Sequence, residues 1–241
     1  DFIRRLLGFD KVARARGAGG EDERVSMLKL IWFWMRPVAL IVLIGYNVVL
    51  VARHGFISGD ELQYPQRVLA EAPHSVQPGT PMPDGEGCAR SDIVATTAYI
   101  LDVLVNQNVW APGDPQYKIG WFGVLGFEGG PFFDNKAAFQ RGAMRAVRRI
   151  SVELVDILGR ARGTSAADES LQDARGALQW SERAWIVNPL DPRLPLLSTS
   201  ASQSYRRAIE LLGEYNARLT ACDALFDSRS DNLFQLLDRV A

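Results

Sequence analysis

The sequence predicts an all-α protein, a single N-terminal transmembrane helix followed by a periplasmic helical bundle. Three observations carry that expectation. One long apolar run stands near the N-terminus, four later segments repeat apolar residues at spacings of three and four, and no period-two stretch of useful length occurs. The 241 residues are 47% hydrophobic and 23% charged, with a formal net charge of -1. That balance suits one globular domain plus an extra element. It argues against nucleic acid as the main partner, since nucleic-acid-binding domains carry a strong basic excess.

The apolar run is "LIWFWMRPVALIVLIGYNVVLVA", residues 30–52. About 20 apolar residues at roughly 1.5 Å each cross a hydrocarbon core of about 30 Å. A buried core helix rarely stays apolar on all sides for this length. A cleaved signal peptide is shorter, and "VARHGFISGD" offers no small-x-small cleavage site. Arg36 is expected to snorkel to the interface beside Trp32 and Trp34. Pro37 removes one helix hydrogen bond, so a kink or a helix start is expected there. Asn47 either faces another helix in the lipid or sits as a tolerated amide near the outer end. Arg4, Arg5, Lys11, Arg14, Arg16, Arg24, Lys29 and Arg36 lead into the run, whereas Arg53 and Arg67 follow it. The positive-inside rule then sets the N-terminus in the cytoplasm and the rest outside, which in a bacterium is the periplasm.

Ahead of the run, residues 1–29 read as a cytoplasmic arm and hinge. Phe2, Ile3, Leu6, Leu7 and Phe9 gather on one side of a helix, with Arg4, Arg5, Lys11 and Arg14 around them. Such an arm lies on anionic lipid or on a partner, or else frays as a tail. "GAGGEDER" reads as a flexible hinge. Residues 53–90 are rich in Pro and Gly and read as an extended tether.

Residues 91–241 read as the helical domain. Ser91 caps a helix with Ile93, Thr97, Ile100, Leu101, Leu104 and Val105 on its core face, ending near Asn108. A second helix runs over about 135–162, with Met144, Val147, Ile150, Leu154, Val155 and Leu158 inward. Ser165 with Asp168 reads as a capping pair for a third, which buries Leu171, Leu178 and Trp185. A fourth starts near Ser202 and carries Tyr205, Ile209, Leu212, Asn216, Leu219, Cys222 and Phe226 inward. Leu233, Leu237 and Val240 continue the rhythm, so the helix either breaks at "DSRSDN" or runs on as a rod.

Catalytic patterns are scarce. The two histidines, His54 and His74, have no metal or nucleophile partner in sequence, and no phosphate loop or dinucleotide fingerprint appears. No cofactor is therefore expected. Acidic pairs are the remaining option: Glu153 with Asp156 at helical spacing, and Glu128 with Asp134 flanking the loop "WFGVLGFEGGPFFDN". In that loop Trp121, Phe122 and Phe127 either insert into a membrane or partner surface, or fold back over the core. Arg141, Arg145, Arg148 and Arg149 form a basic stripe, expected to meet headgroups or an acidic partner, or to pair with carboxylates such as Glu153. Cys88 and Cys222 either pair as a disulfide in an oxidising compartment or leave Cys222 as a buried thiol. In "LVNQNVWAPGDP", Asn106, Gln107 and Asn108 are expected to end the first external helix and bond the loop that follows, with Trp110 plugging the bundle.

Four pieces carry a resemblance: "PDGEGCARSDIVATTAYILDVLVNQNVWAPGDP", "FFDNKAAFQRGAMRAVRRISVELVDILGRARGTSAAD", "LQDARGALQWSERAWIV" and "SQSYRRAIELLGEYNARLTACDALFDSRSDNLFQLLDRVA". In this order they resemble a proteobacterial single-span inner-membrane family catalogued as a domain of unknown function (number twenty-three thirty-three). The resemblance covers about residues 83–241 and implies one inner-membrane span with a helical external domain. It implies no activity. The expected function is a non-enzymatic, membrane-anchored subunit or scaffold of an envelope complex. Its partners would be the lipid bilayer and other inner-membrane proteins or further copies of itself. The alternatives are an envelope enzyme acting on peptidoglycan or polysaccharide through paired carboxylates, and a lipid-handling domain.

Overall fold

The computed structural model describes residues 23–55, 77–82, 87–120, 134–160, 166–185, 199–227 and 229–240. Phe2, Arg4, Arg5, Leu6, Trp121, Phe122 and Phe127 lie outside these residues, as do Glu128, Ser165 and His74. The chain divides into two units, Asp1–Ala52 and Arg53–Ala241.

In the first unit, α1 begins at Glu23 and continues to His54, so its last two residues belong to the second unit. It starts within the segment read as a hinge and passes through Pro37 without ending. Ile31–His54 is long and apolar enough to cross a membrane, with a mean hydropathy of 2.0. Trp32, Ile41, Val42 and Val48 are all exposed, so apolar surface faces outward around the helix. The Arg36 guanidinium lies over the Trp32 ring, 4.0 Å from its centroid. Asn47 Nδ2 donates to Leu43 O at 2.7 Å, which satisfies part of the amide within its own helix.

The described residues of the second unit are mostly helical. After α2 (Asp92–Asp102) come a wide π-turn (Val103–Gln107), a 3₁₀ turn (Ala111–Gly113) and the short α3 (Pro115–Ile119). Then follow α4 (Asp134–Glu153) with a second π-turn (Leu154–Leu158), α5 (Glu169–Leu178), α6 (Ala201–Thr220) and α7 (Ser230–Val240). The central helix is α6, packed against both α5 and α2; α4 packs on α2, α5 and α7. Its buried face is Tyr205, Ala208, Leu211, Leu212, Tyr215 and Leu219, at helical spacing. Full burial of each large apolar side chain contributes about 1.5–3 kcal/mol. The two tyrosines keep their hydroxyls bonded: Tyr215 donates to Leu225 O at 2.6 Å and Tyr205 to Trp180 O at 3.2 Å. Burial pushes the Tyr205 phenol up to about 12 and raises Tyr215 as well, so both act as neutral groups.

Caps explain where the helices begin. Ser91 accepts from Val94 N, Asp168 from Leu171 N, and Ser200 forms a capping box with Gln203. Asp168 is itself the cap of α5, and it also receives Arg218 at 2.6 Å, which ties α5 to α6. That carboxylate raises the Arg218 guanidinium further above its ordinary value.

Four expectations need correction. The long terminal helix does not run on as a rod, and it breaks ahead of "DSRSDN": α6 ends at Thr220. Cys222 takes φ +62°, Cys222 N bonds Leu219 O, and Asp223 N bonds Arg218 O. This is the paired C-terminal bonding of a Schellman motif, with cysteine where glycine is usual. A break resets helical phase, so in α7 it is Asn232 and Leu236 that are buried, while Leu237 is exposed. Cys222, beyond the helix end, is exposed rather than on the apolar face. Trp185 is only half-buried, because α5 stops at Leu178 before reaching it.

The tether reading also changes for residues 77–90. Gly79 N bonds Ala89 O at 2.8 Å, Ala89 N bonds Thr80 O at 2.9 Å, and Met82 N bonds Gly87 O at 2.9 Å. These close a small hairpin around the bridge between Pro81 and Cys88. Cys88 N then donates to Thr220 O at the end of α6. Gly87, at φ +78°, lies so close that a Cβ would sit 2.7 Å from Thr220 O. Cys88 and Cys222 are joined in a disulfide with Cα atoms 5.2 Å apart, linking positions 134 residues apart in sequence. We expect C88S or C222S to destabilise the domain by about 2–4 kcal/mol. Dithiothreitol should do the same to the unmutated chain and nothing further to the variants. Equal denaturation midpoints for all of these would remove the disulfide from the account.

Candidate functional site

A cleft of about 610 Å³ opens in the second unit. One wall is the π-turn and chain that follow α2, Val105 to Trp110, and another is the start of α6. Its shape begins with the π-turn. A π-turn widens the helix by one residue and disrupts the regular carbonyl ladder. Here the loose carbonyls meet a side chain from α4. Gln140 Nε2 donates to Leu104 O at 3.1 Å and to Val109 O at 2.9 Å, and Gln140 Oε1 accepts from Ala111 N at 2.9 Å. Gln140 is 1% exposed. It therefore does what the three amides of "NQN" were expected to do. Those amides bond backward instead: Asn106 and Gln107 to the Asp102 carboxylate at 2.7 and 2.9 Å, and Asn108 to Val103 O at 2.8 Å. The reason is geometric, because the π-turn returns them over the preceding turn of α2. Trp110 plugs the bundle as expected, packed edge-on against Tyr205 and donating to Glu182 O at 2.9 Å.

The floor near Asp114 is charged. Asp114 caps α3 through Gln116 N and Tyr117 N, and its other oxygen takes Arg53 at 2.7 Å. His54 Nε2 stands 3.4 Å from Asp114 Oδ1, longer than a well-made hydrogen bond. Burial alone would raise the Asp114 carboxyl. The His54 contact, the Arg53 charge and the Tyr117 N–H outweigh it and hold the group below its ordinary value. Lys136 donates to Arg53 O at 2.7 Å. Burial, and then the Arg53 charge, push the Lys136 amine down.

The carboxylates considered for catalysis lie elsewhere. Glu153 is buried and bonds Arg239 at 2.7 Å; Asp156 is exposed and 3.3 Å from Arg175; Asp134 is exposed. Among the described residues these groups form no facing pair. The basic stripe is largely engaged within the domain. Arg148 bonds Glu182 at 2.7 Å, as well as Leu178 O, Trp180 O and Tyr205 Oη. Arg141 is 3.9 Å from Glu182, and Arg149 donates to Arg239 O. The carboxylate for the stripe is thus Glu182, not Glu153.

Sequence reasoning missed Asp114, Arg53 and Arg206 as cleft residues, and Gln140 as the buried side chain that bonds the backbone behind the cleft wall. Only Gln140 left a signal, an amide on the apolar row Ala137, Gln140, Met144, Val147.

Replacing Gln140 with leucine keeps the volume and leaves three backbone groups unbonded. We expect a loss of about 2–4 kcal/mol, against less than about 1 kcal/mol for N106A at an exposed site. Chemical denaturation compares the two. For Asp114, the folded carboxyl lies below its unfolded value of about 3.9. Its contribution is therefore complete above that value and is lost as pH falls through the folded value. D114N keeps the cap and removes the charge. It should be about 1–3 kcal/mol less stable at pH 7, with the difference shrinking below about pH 4. A pH-independent difference would contradict the ion-pair account.

No curated protein and no solved structure matches the chain. The segment of the resemblance that precedes residue 123, including "LVNQNVWAPGDP", lies ahead of the family match. Residues 123–241 match the family described as "Uncharacterized protein conserved in bacteria" (DUF2333).

Proposed function

We propose that this chain is a membrane-anchored, non-enzymatic subunit or scaffold of an inner-membrane complex, with its N-terminus cytoplasmic and its helical domain periplasmic. The observation that carries this reading is α1. It is apolar on all sides over more than 20 residues and turns Trp32, Ile41, Val42 and Val48 outward. Exposed apolar surface of that extent is stable in lipid or against other membrane helices, not in water. The charge asymmetry around the helix supports the orientation. The disulfide agrees with it, because such bonds persist in the oxidising periplasm and are rare in the cytosol. The arginine partners of Glu153 and Asp156 support a structural role for those acids over a catalytic one. The packed core, with Leu101, Met144, Leu154, Leu158 and Leu212 all buried, favours a solid domain over a lipid-carrying one.

The full chain should remain in membranes after alkaline carbonate washing. Protease added to spheroplasts should remove a C-terminal tag while leaving a cytoplasmic marker intact. Mild-detergent purification should recover other membrane proteins or further copies of the chain. Release by carbonate would overturn the anchor, a protected tag the orientation, and recovery as a lone monomer the scaffold.

A further inference from the structure

We propose that the cleft between the end of α2 and the start of α6 binds a small molecule carrying an oxyanion, and that Arg206 is the residue that recognises its charge. Its volume of about 610 Å³ is in the range of small-molecule sites, roughly 300–1,000 Å³. Its wall combines polar side chains with the half-buried Trp185.

The electrostatic argument rests on which charges are already cancelled. Arg53, in the same cleft, is paired with Asp114 at 2.7 Å; outside it, Arg148 is paired with Glu182 and Arg218 with Asp168. Arg206 differs. Its Nε donates to Asn106 Oδ1 at 2.8 Å, and it makes no ion pair among the described residues. An arginine only donates, so Asn106 must offer its oxygen to Arg206 and its nitrogen elsewhere. That nitrogen meets Asp102 Oδ1 at 2.7 Å, and Gln107 takes Asp102 Oδ2 at 2.9 Å. Asp102 is thereby occupied by two neutral amides. A neutral amide orients a guanidinium without cancelling its charge. The two terminal nitrogens of Arg206 are left as a fork, the geometry that receives two oxygens of a carboxylate or a phosphate. The relay Asp102–Asn106–Arg206 holds that fork in place before a ligand arrives, which reduces the ordering cost of binding. This inference does not depend on the membrane topology proposed above.

Calorimetric titration of the full chain in detergent with glucuronate, glucose 6-phosphate and glucose tests it. We expect one of the two anions to bind, whichever anionic group the cleft takes, and glucose to bind at least tenfold more weakly. R206Q should weaken the anion by about 10- to 100-fold, the size of a lost charge-assisted bond. The double variant D102N/N106D keeps the hydrogen-bonded relay but sets the carboxylate against Arg206, so it should weaken binding comparably without lowering the thermal midpoint. It also provides the test if R206Q folds poorly. Equal binding of all three probes, undiminished binding in both variants, or no binding of either anion up to tens of millimolar would overturn the proposal.

Discussion

A helix that ends inside a protein leaves carbonyls that water cannot reach, and the shape of this domain follows from how α2 solves that problem. Gln140 meets Leu104 O, Val109 O and Ala111 N with its single amide. Buried backbone groups of this kind must be bonded somewhere. With α4 supplying the bonds, the chain can leave the helix abruptly and drop Trp110 into the core. It then turns through the 3₁₀ segment to Asp114. The cleft is what remains on the outer side of that exit.

Much of this was legible in the sequence because apolar periodicity reports burial directly. Leu101, Leu104, Met144, Leu154, Leu158, Leu212 and Leu219 all fall inside, on the faces their spacing indicates. Periodicity does not survive a break, and this is why Leu237 was misplaced while Leu236 is buried. It also carries no information about a hairpin held by Gly87 and a disulfide, so residues 77–90 read only as Pro/Gly-rich chain. Cleft chemistry was less legible still. Arg53, Asp114 and Arg206 are far apart in sequence, and each looks like an ordinary surface charge until the fold sets it on the cleft wall.

Among the described residues, the arginines between helices differ from Arg206. Arg148, Arg218 and Arg239 bind carboxylates and backbone carbonyls between helices and work as structural ties. Arg206 is oriented by an amide alone. The distinction matters because a basic stripe visible in a sequence suggests an external partner. Here the stripe on α4 turns in part inward to Glu182 and carbonyl oxygens, and Arg206, held by an amide, lies on a different helix.

The π-turn at Val103–Gln107 also has a meaning for descent. Such a turn amounts to one residue more than a regular helix needs. Each residue of a helix turns the chain by about 100°. Removing one position there would carry Asn106 off the face of α2 from which it meets Arg206, while the leucines before it kept their places. The cleft wall and the hydrophobic core are joined at this turn, since Val105 and Trp110 serve both. A single insertion or deletion at the turn therefore changes the cleft wall and the core together.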